Sequence, residues 1–241
     1  MSREINEWFY SAIQNADLDR LRLFEKRRDD MTIPRLMDRK AFDILMGLPE
    51  QKQERLLAQY PEMEDRIPFE TSLYYGNLRI LEKNRERYFT DGWEKIFGRI
   101  LLFHMEQDYI HEDKVTDDGG KLERLTETLR WIKVQFGSVP EMTGMSTFLS
   151  TLLSHWETST GRKYKEMTLE IAELSGMLSE PWWIEELMRG ISLEEDLQIK
   201  TCQVYERNQV QDKLMDYIGE DPGRVRLFGK IVDAYVREPV K

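Results

Sequence analysis

Cysteine is nearly absent. The chain of 241 residues has one, Cys202, which excludes an intramolecular disulfide and a cysteine-rich zinc site. Histidine is scarce too: His104, His111 and His155 are the whole supply. Strict apolar–polar alternation, the mark of a half-buried strand, is almost missing. There is no G-x-x-x-x-G-K-[ST] or G-x-G-x-x-G phosphate cradle, and no G-x-S-x-G nucleophile elbow. No apolar run is long and clean enough to span a bilayer, which takes about 20 predominantly apolar residues. The first residues, MSREINEWFY, have no apolar signal core, and the last show no lipidation box. The expectation is a soluble protein in a reducing, cytoplasmic setting, with no cofactor and no membrane partner.

Basic surplus is also lacking. The formal charge of −10 argues against a chain that works mainly by coating nucleic acid, because neutralising phosphates takes excess Lys and Arg. The charge is uneven. Between Glu166 and Asp196 stand nine acids and one base, Arg189, while residues 1–100 are nearly balanced. This acidic stretch reads as a solvated face, or more sharply as a docking face for a basic partner.

What is present is helical periodicity from end to end. The most apolar segment is Thr90–Glu112. Its Trp93, Ile96, Phe97, Ile100 and Leu101 follow the i, i+3, i+4, i+7, i+8 pattern of one helix face, which makes it the expected core helix. Before it come an amphipathic helix with Ile5, Trp8, Phe9, Ala12 and Ile13, a second capped by Asp17, a third opened by Pro34, a fourth after Pro49 stopped by Pro61, and a fifth from Phe69 to Tyr88. The stretch 61–68, PEMEDRIP, reads as a connector. Asp113–Gly120, DKVTDDGG, is the clearest loop and the expected hinge. Beyond it Leu122, Leu125, Leu129, Ile132 and Phe136 form a stripe. Ser138–Glu141 and Ser192–Glu195 both have the S-x-x-E form of a capping box. The second is expected to open a helix running to about Ile218, with a last helix after Asp221-Pro222.

The predicted fold is all-α, with eleven or twelve helices packed as consecutive antiparallel hairpins. They form either an irregular helical solenoid or a single bundle. Two regions are expected, 1–112 and 121–241, hinged at 113–120 or fused into one domain. No fixed repeat period emerges. Two short stretches, Ala12-Ile-Gln-Asn-Ala-Asp-Leu-Asp-Arg-Leu21 and Tyr75-Gly-Asn-Leu-Arg-Ile-Leu81, resemble the inter-helix turn of ankyrin repeats. Both lack the T-P-L-H signature and the spacing of whole repeats, so they read as generic helix–turn–helix joints.

Catalytic constellations are incomplete. Asp108-x-x-His111 places a carboxylate and an imidazole on one helical face, but the diiron arrangement needs that motif twice. His111-Glu112 lacks the second His of H-E-x-x-H. The loop from Asp113 fails the calcium-loop spacing. Glu170-x-x-Glu173 is similar to the E-x-x-E of helical, magnesium-dependent nucleotide pyrophosphatases, and what that resemblance implies is a magnesium hydrolase. The further E-x-x-D is missing; Glu194, Glu195 and Asp196 are merely adjacent. No metal site is therefore assigned.

Aromatic residues are the sharper signal. Tyr74-Tyr75 and Trp182-Trp183 are adjacent pairs, and neighbours on a helix point about 100° apart, so one of each faces away from the core. Tyr74, Trp131 and Trp182 fall off the main apolar stripes. The leading reading is a non-enzymatic interaction module: an adaptor, assembly factor or inhibitor. It would bind another protein, one with a basic surface, through Tyr74, Tyr75, Trp182, Glu185 and Glu186. A second reading is a subunit of a nucleic-acid-handling complex, touching RNA or DNA through Arg79, Lys83, Arg85 and Arg87. The third is the magnesium hydrolase around Glu170 and Glu173. Homo-oligomerisation stays open.

Overall fold

The computed structural model describes residues 3–27, 32–108, 120–141, 144–154, 156, 162–191, 194–219 and 221–237. Among these residues the chain is all-α, with seventeen α-helices, two 3-10 helices and no strand. It divides into two compact units, 1–93 and 94–241. The division falls at the start of the central apolar helix. The expected hinge, 113–120, lies further along and, apart from Gly120, outside the described residues.

Unit 1 contains α1 (Arg3–Gln14), α2 (Leu18–Lys26), α3 (Ile33–Leu36), α4 (Arg39–Met46), α5 (Glu50–Gln59), α6 (Phe69–Tyr74), α7 (Leu78–Lys83) and α8 (Arg85–Tyr88). Chain neighbours pack together at α1/α2, α6/α7 and α7/α8, and α1 also packs on α4, and α4 on α6. Phe9, Ile13, Leu21, Ile33, Leu45, Leu56 and Met63 are fully buried, and each such side chain contributes about 1.5–3 kcal/mol by leaving water. The connector 61–68 is more ordered than a loop: Pro61–Arg66 is a 3-10 helix.

The helices are shorter and more numerous than the periodicity suggested. The single helix expected from Phe69 to Tyr88 is three, α6 to α8, broken at Gly76-Asn77 and at Asn84. The helix after Pro34 is cut at Met37, whose backbone is extended, and restarts after the N-cap Asp38. An apolar stripe survives such breaks, so period alone overestimates helix length.

The two joints singled out in the sequence share one geometry. In the first, the Ala16 N–H donates to Ile13 O and the Asp17 N–H to Ala12 O. Ala16 has φ +50°, and Asp17 (φ −83°, ψ 87°) then caps α2 by accepting from Arg20 N. In the second, the Gly76 N–H donates to Leu73 O and the Asn77 N–H to Ser72 O. Gly76 has φ +60°, and Asn77 (φ −82°, ψ 88°) accepts from Ile80 N. A left-handed residue followed by a capping Asp or Asn turns the chain sharply into the next helix. Each cap side chain is worth about 1 kcal/mol.

Unit 2 contains α9 (Trp93–Asp108) after its first residue, which belongs to unit 1, and α10 (Lys121–Phe136), α11 (Met145–Ser154), α12 (Arg162–Leu174), α13 (Pro181–Ile191), α14 (Glu195–Arg207), α15 (Gln211–Ile218), α16 (Pro222–Leu227) and α17 (Gly229–Arg237). A 3-10 helix, Met177–Ser179, precedes α13. On α9, Trp93, Phe97 and Ile100 are buried, as a core helix requires; its side chains beyond Ile100 are outside the described residues. Long contacts run between α10 and α12 and between α14 and α17. Packing therefore joins helices distant in the chain as well as consecutive ones. Trp156, Trp183, Tyr205, Phe97 and Phe148 are the largest side chains fully enclosed there.

The first capping box does not open a helix as expected, and Ser192 and Leu193 of the second lie outside the described residues. α11 begins at Met145, beyond Ser138–Glu141. α14 begins at Glu195 behind Glu194, which makes no side-chain cap bond. The helix expected to run on to Ile218 is cut at Asn208–Val210, where Gln209 has φ +57°.

Candidate interaction surface

The α13 sequence, PWWIEELMRGI, buries Trp183, Ile184, Leu187, Met188 and Ile191. These positions form one stripe at helical spacing. Trp182, turned about 100° from Trp183, is left half-buried at the stripe's edge. Its ring meets that of the fully enclosed Trp183 edge-on, with centroids 6.1 Å apart and planes at 80°. Edge-to-face contact is a favoured aromatic geometry, so a fixed neighbour holds the half-buried ring. Glu185 and Glu186 lie on the solvent side of the same helix. Arg189 reaches both, at 3.2 Å and 2.9 Å, and the exposure of all three makes these pairs worth little. The result is an indole beside two accessible carboxylates.

Tyr74 and Tyr75, at the end of α6, are also half-buried and meet edge-on at 5.0 Å. A Cβ on Gly47 would lie 3.4 Å from the Tyr75 hydroxyl, so Tyr75 packs over the end of α4. Trp131 is half-buried too, against Phe136. The two halves of the predicted partner surface belong to different units: the tyrosines to unit 1, and Trp182 with Glu185 and Glu186 to unit 2.

The predicted basic strip has a task of its own. Arg79 and Lys83 both bind Glu64, Lys83 at 2.7 Å, and Lys83 also reaches Asp65 at 3.0 Å. Arg87 donates to the carbonyls of Asp65 and Ile67 and lies over the Tyr88 ring. These bases therefore bind the 3-10 helix Pro61–Arg66 against α7 and α8. Burial pushes the Glu64 carboxyl up, but hydrogen bonds from Lys83 and Arg79 outweigh it and hold it below the usual glutamate range. Hydrogen bonds to Glu64 and Asp65 raise Lys83 above the usual lysine range. Replacing Lys83 by Ala is expected to lower stability by about 0.5–1 kcal/mol, read from the urea midpoint, because the pair is partly exposed. Retention on heparin at low salt should not change in that variant. Retention lost on replacing Lys83, Arg85 and Arg87 together would return the strip to a nucleic-acid role.

Glu170 and Glu173 are likewise engaged. Arg130 on α10 forks onto Glu170 through Nε and Nη2. Arg207 on α14 forks onto Glu173, which also accepts from Asn208 Nδ2 at 2.8 Å. Bidentate guanidinium–carboxylate pairs occupy both oxygens. The two carboxylates, three apart on α12, thus tie α12 to two different helices instead of converging on one ion. Glu170 borders a cleft of about 360 Å3 whose lining includes Glu123, Arg130, Lys163, Glu166, Lys200 and Arg207. Among the described residues, no group of three or more His, Cys, Asp or Glu is placed to hold a metal ion. His111, His155 and the side chains of His104 and Asp108 lie outside those residues. No described helix is long and apolar enough to cross a membrane. Cys202 is buried.

The adjacent aromatics Trp8, Phe9 and Tyr10 also imply that one of them turns away from the core. Ile5 and Trp8, expected inward on α1, are 38% and 37% exposed, while Phe9, Ala12 and Ile13 are buried. The apolar stripe of α1 is wider than the surface that α2 and α4 cover. With Glu4, Phe24 and Arg27, Ile5 and Trp8 line an open groove of about 420 Å3, and Trp8 stacks on Phe24 at 5.4 Å. The signal was the adjacency Trp8-Phe9: on a helix only one of the two can point straight at the core. Comparison with protein-family profiles, with curated proteins and with solved structures returned no match to the chain.

Proposed function

We propose that the protein is a non-enzymatic helical interaction module, an adaptor, assembly factor or inhibitor, that binds a partner protein through the outer edge of α13. The observation that carries this reading is Trp182: a large indole, half-buried, held edge-on by Trp183 and flanked by the exposed carboxylates of Glu185 and Glu186. Interface anchors are typically aromatic groups already held in place, ringed by polar groups that select the partner's charge. Here the rim is acidic and lies within the acidic stretch Glu166–Asp196, which suits a basic partner surface. Further support comes from the competing sites, because Glu170 and Glu173 brace helices and Arg79, Lys83 and Arg87 brace a 3-10 turn. The working compartment consistent with a lone cysteine is the cytoplasm.

The test is capture of the stoichiometric partner from the native host at low salt, by wild type and by the double variant Trp182→Ala with Glu186→Ala. Truncating an aromatic anchor typically costs about 2 kcal/mol or more, roughly 30-fold in affinity. The helical circular-dichroism signal should stay intact. Unchanged capture by a folded double variant removes this surface from the function. Captured nucleic acid, sensitive to nuclease, would instead favour the basic strip.

A further inference from the structure

Four residues of α13 stand on the side turned away from its buried stripe. Trp182, Glu185, Glu186 and Arg189 follow the spacing i, i+3, i+4 and i+7, which sets them one above another on a single helix face. The inward residues Trp183, Ile184, Leu187, Met188 and Ile191 take the opposite side. Along the outer face an indole is therefore followed by two carboxylates and then by a cation.

That cation is already bound to both carboxylates. Arg189 donates from Nη1 to Glu186 Oε1 at 2.9 Å and from Nη2 to Glu185 Oε1 at 3.2 Å. One guanidinium thus spans two side chains, with one nitrogen on each. The side chains of Arg189, Glu185 and Glu186 are 63%, 59% and 40% exposed, so the bridge lies in water and is weakly held. It still shows what this pair of carboxylates fits: a planar group with two diverging nitrogens, which arginine has and lysine lacks. Trp182, one turn from both carboxylates, favours the same group. An indole attracts a guanidinium laid on its face, and a guanidinium is more weakly hydrated than an ammonium, so it leaves water more readily.

We propose that the partner presents an arginine to this face and that Arg189 competes with it for Glu185 and Glu186. The inference rests on the α13 reading above and names the group that the partner must supply. On binding, the partner's guanidinium replaces that of Arg189 on the two carboxylates and lies against Trp182. An internal competitor weakens every basic partner, but least the one that matches both carboxylates at once. A lysine offers a single compact point of charge and does not offset the loss of the Arg189 bridge. Arg189 is thereby a specificity determinant built on competition, in a chain whose charge of −10 attracts cations of any kind.

The experiment titrates the full isotope-labelled chain at low salt with two amidated peptides, one of alternating glycine and arginine and one of alternating glycine and lysine. It follows the indole N–H signal of Trp182, identified by its loss in Trp182→Phe. The arginine peptide is expected to shift that signal and to bind at least about threefold tighter than the lysine peptide. Arg189→Gln should tighten arginine-peptide binding by about threefold, the scale of an exposed ion pair, and Arg189→Lys should fall between. Adding Glu186→Gln to Arg189→Gln should remove the gain. Arg189 is exposed, so its variants should leave the circular dichroism unchanged. No shift with the arginine peptide, or an affinity indifferent to Arg189→Gln, overturns the proposal; equal affinity for the two peptides overturns the choice of a guanidinium. Each of these can occur while capture of the native partner still depends on Trp182 and Glu186, which leaves the α13 reading standing. Capture unaffected by those two residues removes the α13 edge, and this inference with it.

Discussion

Gly190→Ala is expected to destabilise unit 2 by about 1–3 kcal/mol, although helix propensity alone gives the opposite sign. Gly190 lies inside α13, where exchanging Gly for Ala ordinarily gains about 1 kcal/mol. Here the added Cβ would stand 2.8 Å from Cε3 and 3.4 Å from Cζ3 of Trp156. Atoms of ordinary size do not approach that closely, so something must move. The indole cannot yield cheaply, because Trp156 is 1% exposed and close-packed interiors transmit such strain. The contact lets α13 lie against the Trp156 ring, and any side chain at 190 forces the two apart. Gly190→Leu should cost more than Ala. The check is the urea midpoint of each variant at constant slope. A midpoint that rises with Ala would mean that the ring gives way freely and that propensity decides the site.

The same position shows where sequence reading stops. Nothing in PWWIEELMRGI marks Gly190 as a point of close approach, because the ring that demands it comes from Trp156, far back in the chain. The local features were legible. Asp17 and Asp221 cap where a short side-chain oxygen before an apolar stripe says they should. Trp183 and Leu187 point inward and Trp182 does not. The S-x-x-E motif at Ser138–Glu141 was misleading for the same local reason. Its spacing permits a box, but α11 starts at the buried Met145. Charge pairing was the least legible. Each arginine and lysine of the Arg79–Arg87 strip has acids three or four residues away, so local pairing looked sufficient. The partners actually used by Arg79 and Lys83, Glu64 and Asp65, sit on the preceding 3-10 helix. Glu170 and Glu173 fall under the same limit. Their spacing is that of a metal motif, and only the fold brings Arg130 and Arg207 to them.

Those arginine forks make stability depend on acidity, and Glu173 is the group through which it acts most clearly. Burial pushes its carboxyl up, but hydrogen bonds from Arg207 and Asn208, with the positive charge of Arg207, outweigh that and hold it below the ordinary value of 4.5. Glu64 in unit 1 is depressed in the same direction by Lys83 and Arg79. A carboxyl whose pKa is lower folded than unfolded binds fewer protons in the native state. Its stabilisation is therefore complete above the ordinary glutamate range and is lost as pH falls through the depressed value. The window lies below 4.5, and no loss from this source is expected at neutral pH. The Glu173 side chain is only 12% exposed, but Arg207 is 53% exposed, so solvent screening keeps the contribution near about 1 kcal/mol. Glu173→Gln should lower the urea midpoint at pH 7 by that amount. It should also lose less than wild type on acidification from about pH 6 to about pH 3, across the carboxylate range, so that the two curves converge. A residual slope should remain from Glu64 and disappear further in the double variant with Glu64→Gln. Curves for wild type and Glu173→Gln that run parallel to the acid end would show that the Arg207 fork is not coupled to folding, and the bracing role given to Glu173 would fall with it.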